Sequence, residues 1–451
     1  MDKADEFLKS HRLRASDVDI DSLVKVFLED MKDGLAGRED ALRMIPTYIE
    51  AENDFLREVP VLAIDAGGTN FRASLVRFSR FREIETGEIT SRKMPGLEKE
   101  ISSNEFFSVL AEYVKPLADK AERIGFCFSY PTEILPSRDG RLLQFCKEVK
   151  APEVVGKLIG KNLLEALGTP DKPVVILNDT VATLLAGKSV LINKSYDSFI
   201  GFILGTGTNT CYIEQNTKIV KNRDLNPGKS QIINIESGNF KKAPRTDTDI
   251  IFDYSTFNPG NYMFEKMISG GYFGGLSLTV LKTAAKEGVF SVEAAEKLSL
   301  LTDLSTNDAN YFVSNPFSEA NLLLPTNLFP EANPFPEANP FPESNPLRKC
   351  FKNNGDAGKC SEIINSLIER AAKLVAANLA AVILRTGKGK SVDRPVLITV
   401  EGTTFYKMHD LRNKFEGFLN GFLIDERKRY VEFVQVPDSG LIGAALAGLI
   451  L

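Results

Sequence analysis

VLAIDAGGTNFRASLVRF, residues 61–78, is the stretch whose reading decides the fold. An apolar run from Val61 to Ile64 ends in Asp65. Gly67, Gly68, Thr69 and Asn70 then make a tight turn, and Phe71, Ala73 and Leu75 alternate with Arg72 and Ser74 on the way out. The pattern predicts a β-hairpin whose tip is nearly bare backbone. Glycines let amide N–H groups close on an anion, and Thr69 and Asn70 add side-chain donors. A carboxylate beside a phosphate repels it unless Mg²⁺ lies between, so Asp65 in this position points to a magnesium–nucleotide site. An ordinary Gly-rich hairpin would carry the same letters.

The second half of the chain repeats the design. In SFIGFILGTGTNTCYIE, residues 198–214, an apolar strand runs into Gly205, Thr206, Gly207, Thr208 and Asn209 before Cys211, Tyr212 and Ile213 leave. Two strand–turn–strand units of this kind could clamp a triphosphate from two sides. A third relative is VLITVEGTTF, residues 396–405, where Glu401, Gly402, Thr403 and Thr404 follow another buried strand. None is a Walker A loop. The nearest candidate, GKGKS at 387–391, has Leu384 where the first glycine belongs and reads as a solvated loop after a helix.

A chain of 451 residues favours two domains, and 43% hydrophobic with 25% charged residues can build sizeable cores. A net charge of −5 argues against a nucleic-acid partner, which asks for a basic face. Leu441 to Leu451 is too short to span a bilayer, and the acidic and basic start around Asp2, Lys3, Asp5 and Glu6 lacks the apolar core of a signal peptide. The expected location is therefore cytoplasmic, with no membrane partner. Five cysteines, three of them in or beside apolar strand-like segments, suit reduced thiols. His11 and His409 are the only histidines and neither lies in a motif, which disfavours histidine-based metal sites and Ser-His-Asp chemistry.

Periodicity predicts an amphipathic helix over 17–35, strands at 61–65, 71–78 and 83–90, and a helix opened by a Ser102–Glu105 capping box and running to about residue 122. Buried strands follow at Ile124 to Phe128 and Val174 to Leu177, and a long helix at 361–386 carries Ile363, Ile364, Leu367, Ala371, Leu374 and Val375 on one stripe. A final helix begins after Ser439-Gly440. The order β-β-β-α-β-α-β-α restarts at Ser198, so the fold is α/β with an internal duplication. From Asn315 the chain repeats every six residues (NPFSEA, NLFPEA, NPFPEA), and prolines at this density oppose helix and central strand. This block reads as an exposed insertion.

Asp179, in LNDTVATLLAG, follows a buried strand and opens a helix. It could be a plain N-cap, a role in which Asp is favoured. Ligands of α/β folds also gather beyond strand ends, and a carboxylate there can accept a hydroxyl proton, as phosphoryl transfer requires.

At this point the chain resembles the eukaryotic-type hexokinases. IDAGGTNFR, FSYP, LNDT, GTGTNTCYIE, NIESG and PGNYMFEKMISGGY match that family in order, as does the early MIPTYI. The resemblance covers nearly the whole chain outside roughly residues 305–350. It implies a two-lobed, actin-like (RNase H-like) ATPase fold with the sugar in the cleft. The small lobe would hold 57–190 and 438–451, and the large lobe 1–56 and 191–437 with the Pro-rich insertion. It further implies phosphorylation of a hexose, glucose first, at the 6-hydroxyl by Mg²⁺–ATP, in a monomer or homodimer. Asp179 would be the general base, with Lys147 beside it in the catalytic set. Ser129, Cys146, Lys147, Asn178, Asn209, Glu236 and Glu265 would hold the sugar's other hydroxyls. Asp65, Gly67, Gly68, Thr69 and Asn70 match the first phosphate turn, Thr206 and Gly207 the second, and Gly402 and Thr403 the segment near the nucleoside. Asp65 would meet Mg²⁺ directly or through water.

Each of these has a plainer reading: Ser129 as a turn residue before Tyr130-Pro131, Glu236 as a strand edge, Glu265 as a helix-dipole partner, Lys147 as a surface lysine. The chain also departs from the family. Phe145-Cys146-Lys147-Glu148 stands where Trp-Thr-Lys-Gly is usual, and a thiol is a poor donor, so a sugar hydrogen bond of about 0.5–1.5 kcal/mol is at stake. Glu236-Ser237-Gly238 replaces Glu-Trp-Gly, and Gly440-Leu441 falls where Ser-Gly precedes the last helix, which leaves Ser439 unassigned. A hexose sensor without catalysis, or an actin- or chaperone-like ATPase module, would share much of this pattern. The first should have lost Asp179, Lys147 or a phosphate turn; the second needs no sugar set.

Overall fold

The structure, a computed structural model, describes residues 2–50, 53–81, 83–145, 149–190, 194–314 and 345–450. The chain opens with α1 (Lys3–Ser10), α2 (Ile20–Leu35) and the short strand β1 (Ile45–Pro46). Asp19 starts α2 by accepting the N–H groups of Asp21 and Ser22.

The first sheet grows from the hairpin of β2 (Val61–Gly67) and β3 (Asn70–Phe78). On its far side β3 takes β4 (Ile84–Thr86) and β5 (Thr90–Lys93). The single strand expected over 83–90 is thus two. Gly87 donates to the Leu75 carbonyl at 2.8 Å and steps the chain from one half of β3 to the other. Next come α3 (Ser103–Ala118), β6 (Arg123–Phe128), the two-stranded β7 (Thr132–Ile134) and β8 (Gly140–Leu142), α4 (Ile159–Leu167), β9 (Val174–Leu177) and α5 (Asp179–Val190). Ser102 does cap α3 through the Glu105 N–H, but the Glu105 carboxylate pairs with Lys99, and the helix stops at Ala118 just after Pro116. β6 and β9 add in parallel, which sets the order β4-β3-β2-β6-β9.

The second sheet repeats this plan. β10 (Ser198–Leu204), β11 (Thr208–Gln215) and β12 (Ser230–Asn234) are antiparallel; β13 (Val396–Glu401) and β14 (Val431–Val434) follow in parallel on the other side of β10. The order β1-β12-β11-β10-β13-β14 has the same sequence of antiparallel and parallel neighbours as the first sheet, with β1 added at the edge. The duplication expected from the sequence is therefore real at the level of topology.

Between β12 and β13 lie α6 (Asp247–Ser255), α7 (Met263–Ile268), α8 (Phe273–Lys286), α9 (Val292–Ser299), α10 (Thr306–Ser314), α11 (Pro346–Cys350) and the long α12 (Asn354–Thr386). α12 begins earlier than residue 361. Asn353 caps it by accepting the Asp356 N–H at 2.7 Å, while Gly355 and Gly358, poor helix formers, disguise its first turns. Its expected apolar stripe is fully buried. On the same helix Arg370 pairs with Asp249 of α6, Asn378 with Thr210 of β11, and Arg385 with Glu214 of β11. The hexapeptide block at 315–344 lies outside the described residues, and its expected flanks, 306–314 and 346–350, are helical.

α13 (Thr403–Lys407) and α14 (Leu411–Asn420) connect β13 to β14, and α15 (Ser439–Leu449) starts at Ser439 rather than after Gly440. One core fills the second sheet and its helices; another lies between the first sheet and α3 and α4. A third joins them. It contains Val61, Ala63 and Cys127 from the first sheet, Cys211 and Ile232 from the second, and the apolar faces of α5 and α15 between. Cys127, Cys211, Cys350 and Cys360 are buried free thiols. Among the described residues no helix is long and apolar enough to cross a membrane.

Candidate active site

The tip of the first hairpin is Gly68-Thr69, with Gly67 opposite Asn70. Gly68 takes φ 64°, which suits glycine in a two-residue hairpin. The Tyr130 hydroxyl donates to its carbonyl at 2.7 Å and ties the tip to the end of β6. Thr69 and Asn70 are exposed, leaving their donors accessible. Asp65 lies deeper. Burial pushes its carboxyl up; Arg72 pulls it down, Asp179 pushes it up again, and a hydrogen bond from Cys127, its register partner on β6, lowers it. Arg72 stands 3.8 Å from Asp65 and also pairs with Asp438, just before α15. α15 approaches so closely that a Cβ on Gly440 would lie 2.7 Å from Asp65 Oδ2. Ser439, buried, bonds to Glu401 at the end of β13, whose carboxyl is raised by burial and by Asp438 and Asp65. Arg72, Asp438, Glu401 and Gly440 thus complete the first turn's surroundings, and the motif reading assigned none of them.

The second turn spans Gly205, Thr206 and Gly207, between paired Leu204 and Thr208. Gly270 and Gly271 donate to the carbonyls of Gly205 and Thr206 at 2.8 and 2.9 Å, and Thr404 Oγ1 donates to Gly205 at 2.8 Å. Gly402, at φ 110°, rests on the Leu204–Gly205 backbone, where a Cβ would come within 2.3 Å. The third Gly-Thr segment therefore leads from a strand into α13, and it braces the second turn directly. Thr206 and Thr403 are exposed.

A polar cluster sits beside these turns. Asn178, not Asp179, takes the cap position of α5. Its Oδ1 accepts the Thr180 N–H at 2.9 Å, and Asp179, the first helical residue, accepts the same N–H at 2.8 Å. Across from Asn178, Asn209 Nδ2 lies 3.4 Å from its Oδ1, 2.8 Å from Asn234 Oδ1 and 3.4 Å from Glu236 Oε1. Asn234 Nδ2 donates to Glu236 at 2.9 Å. Glu236 holds φ 61°, a left-handed conformation unusual for glutamate and the kind of strain that collects at functional sites. Burial pushes its carboxyl up, Asn234 and Arg43 pull it down, and Asp179 raises it. Asn234 is the first letter of NIESG, but the motif reading gave a role only to Glu236; Asn234 closes β12, two positions before it.

Glu265, on α7, accepts the Thr208 N–H at 2.8 Å. Gly207 makes room for it, since a Cβ there would lie 2.7 Å from Glu265 Oε2. Ser129 stands apart from this cluster, beside the first turn. Its N–H donates to Ala66 and its Oγ lies 3.2 Å from where a Gly67 Cβ would be. Cys146 and Lys147 lie outside the described residues. The structure thus joins Asn178, Asn209 and Glu236, links Glu265 to the second turn, and sets Asp179 where its charge acts on both Asp65 and Glu236. A glycine hairpin with exposed donors, a set of amide and carboxylate groups, and a carboxylate whose charge reaches both are groups that can bind a polyol and a phosphate and take a proton.

Two family models, both described as hexokinase, match residues 3–189 and 199–450. Hexokinase-3 of Oryza sativa subsp. japonica is 27% identical, covering 94% of this chain and 85% of that protein. Hexokinase-3 of Homo sapiens is 30% identical over 92% of this chain and 44% of its own length. The structure of a hexokinase from Schistosoma mansoni complexed with glucose superposes with a TM-score of 0.74 at 21% identity, covering 99% of this chain and 98% of that one.

Proposed function

The chain belongs to the hexokinase family, whose members phosphorylate a sugar with ATP, and we propose that it phosphorylates glucose at the 6-hydroxyl with Asp179 as the general base. The observation that carries the finer reading is the position of Asp179 at the head of α5, sharing the Thr180 N–H with Asn178, whose Oδ1 lies 3.4 Å from Asn209 in the polar cluster. The Asp179 carboxylate accepts the hydroxyl proton as that oxygen bonds to the terminal phosphorus, and the bond from phosphorus to the bridging oxygen breaks to release ADP. Asn178, Asn209, Glu236, Glu265 and Ser129 hold the remaining hydroxyls, with Cys146 and Lys147 joining them on the strength of the family resemblance. Asp65 and residues 67–70 cradle phosphates with Thr206 and Gly207, and Gly402 and Thr403 border the nucleoside.

Among the described residues no group of three or more His, Cys, Asp or Glu side chains is arranged to hold a metal. Asp65, a carboxylate oxygen donor beside the first turn, would hold a Mg²⁺ carried in by the phosphates, directly or through water. When bound, the ion neutralises charge on the phosphate oxygens. Residues 57–190 with 438–451 form the small lobe in this reading, and 1–56 with 191–437 the large one. Their closure over the sugar keeps water from the phosphate.

Purified protein should consume ATP with Mg²⁺ only when a hexose is present. No turnover with any of glucose, mannose or fructose would sink the proposal. Sugar binding without turnover would instead favour a sensor, and sugar-independent ATP consumption a plain ATPase module.

Glu236 predicts a pH dependence. Its folded pKa lies above the ordinary value of about 4.3 because burial disfavours the charge. It therefore contributes stability at acid pH that is lost as pH rises through the folded pKa. Sugar binding runs the other way, since the carboxylate is the acceptor. The KM for glucose should rise as pH falls from neutral through that pKa, and Glu236→Gln should flatten this limb of the profile. An unchanged limb in the variant would remove Glu236 from the sugar set.

Excising residues 315–344 behind a short bridge should leave kcat and the unfolding midpoint nearly unchanged. The block carries no candidate site residue, and loop entropy varies only with the logarithm of length. The excision must spare Asn345 and Pro346: Asn345 donates to the Asp308 carbonyl at 2.9 Å and caps α11. A large fall in kcat/KM would show that the block takes part in turnover.

A further inference from the structure

Thr210 on β11, Ser237 next to Glu236, and Asn378 on α12 are polar side chains outside this mechanism, each with 0% exposure. They touch in series. Asn378 Nδ2 donates to Thr210 Oγ1 at 2.9 Å, and Thr210 Oγ1 lies 3.1 Å from Ser237 Oγ. The backbones of the same two residues converge on one atom of the sugar cluster. The Thr210 N–H donates to Asn209 Oδ1 at 2.7 Å and the Ser237 N–H at 3.3 Å. Those donors occupy the amide oxygen, so the Asn209 NH₂ turns toward Asn178, Asn234 and Glu236.

The arrangement is hard to explain as packing alone. Asn378 is surrounded along α12 by buried Val375, Ala376, Ala377, Leu379, Ala380 and Ala381. Its Oδ1 is buried without a hydrogen-bond partner, which costs stability that leucine would not. Along β11, Asn209 and Thr210 point to opposite faces, so α12 acts on the sugar cluster from behind the strand.

We propose that Asn378 is a positioning residue for the sugar site: through Thr210 and Ser237 it holds the Asn209 amide with its donor side toward the sugar. The inference rests on Asn209 being a sugar ligand. Asn378→Leu, nearly isosteric, removes both the orphan oxygen and the donor, and Thr210→Val removes the relay hydroxyl while Thr210→Ser keeps it. Asn378→Leu and Thr210→Val should each raise the KM for glucose about threefold to tenfold, the equivalent of one net hydrogen bond. Their kcat and KM for ATP should stay near wild type, and Thr210→Ser should match wild type throughout. The double variant should be no worse than the weaker single, because both cut one chain. An unchanged glucose KM in both single variants, or a Thr210→Ser as damaged as Thr210→Val, would overturn the inference.

A second readout needs no turnover. In protein labelled only at asparagine side-chain nitrogen, the amide resonance lost in Asn209→Ser should shift in Asn378→Leu. If it stays put, the inference fails even in an active hexokinase. If wild type proves inert toward every hexose, the functional proposal fails and this shift still decides whether Asn378 orients Asn209.

Discussion

Asp179→Ala is expected to lower kcat by about 10²–10⁴-fold, the usual contribution of a positioned base, while glucose binding stays within about an order of magnitude of wild type. The cap of α5 supports this separation of effects. Asn178 accepts the Thr180 N–H at 2.9 Å independently of Asp179, so the helix keeps its cap when the carboxylate is removed. A fall in kcat therefore reports chemistry rather than a frayed helix. Steady-state kinetics give kcat. Binding is best read by calorimetry, because the chain has 0 tryptophans and offers no intrinsic indole signal. A near-normal kcat would reduce Asp179 to a residue of the helix start.

Arg370→Met should destabilise the protein by about 3–5 kcal/mol, the range for removing one partner of a buried ion pair. The Arg370 guanidinium grips Asp249 in a bidentate contact at 2.9 and 2.7 Å, and the two side chains are 1% and 2% exposed. Asp249 also accepts the Thr246 N–H at the start of α6, so it cannot leave the core without unpicking that helix. The loss should show as a lower denaturant midpoint at an unchanged slope. Arg370→Met combined with Asp249→Asn should recover part of it, since no unpaired charge then remains. A loss below about 1 kcal/mol would mean that water reaches Asp249 once the arginine is gone.

Both hairpins were legible because their determinants are local. A run of strand residues, a glycine turn and a second alternating run fit within a window of adjacent letters, and the structure has both. The two apolar strands and the helix after Asn178-Asp179 were legible for the same reason. The cap itself was not, because neighbouring Asn and Asp are both good caps and only the fold decides which one turns its oxygen to Thr180. The break between β4 and β5 depends on how Gly87 meets Leu75, a cross-strand contact that no periodicity shows. Other parts of the site were hidden by distance along the chain. Arg72 was in the opening motif, but its partner Asp438 is 366 residues away, and Gly440 matters only because α15 lands on Asp65. The proposed sugar set Asn178, Asn209, Glu236 and Glu265 came from motif resemblance, and Asn234, which bonds to two of its members, stood inside NIESG without being given a role.

The return of α15 to the first sheet sets a timetable for making this protein. Val61, Ala63, Cys127 and Leu177 share their core with Leu441, Ala444, Ala445 and Leu446. A ribosome adding roughly 5–20 residues per second needs on the order of 20–70 s to travel the 366 residues from Arg72 to Asp438. For that interval the first sheet has emerged while part of its apolar covering has yet to be synthesised. The second sheet also waits, for β13 and β14. A nascent chain stalled before residue 439 would present an open apolar face to chaperones, and the two lobes would mature nearly together once residues 396–449 had left the exit tunnel.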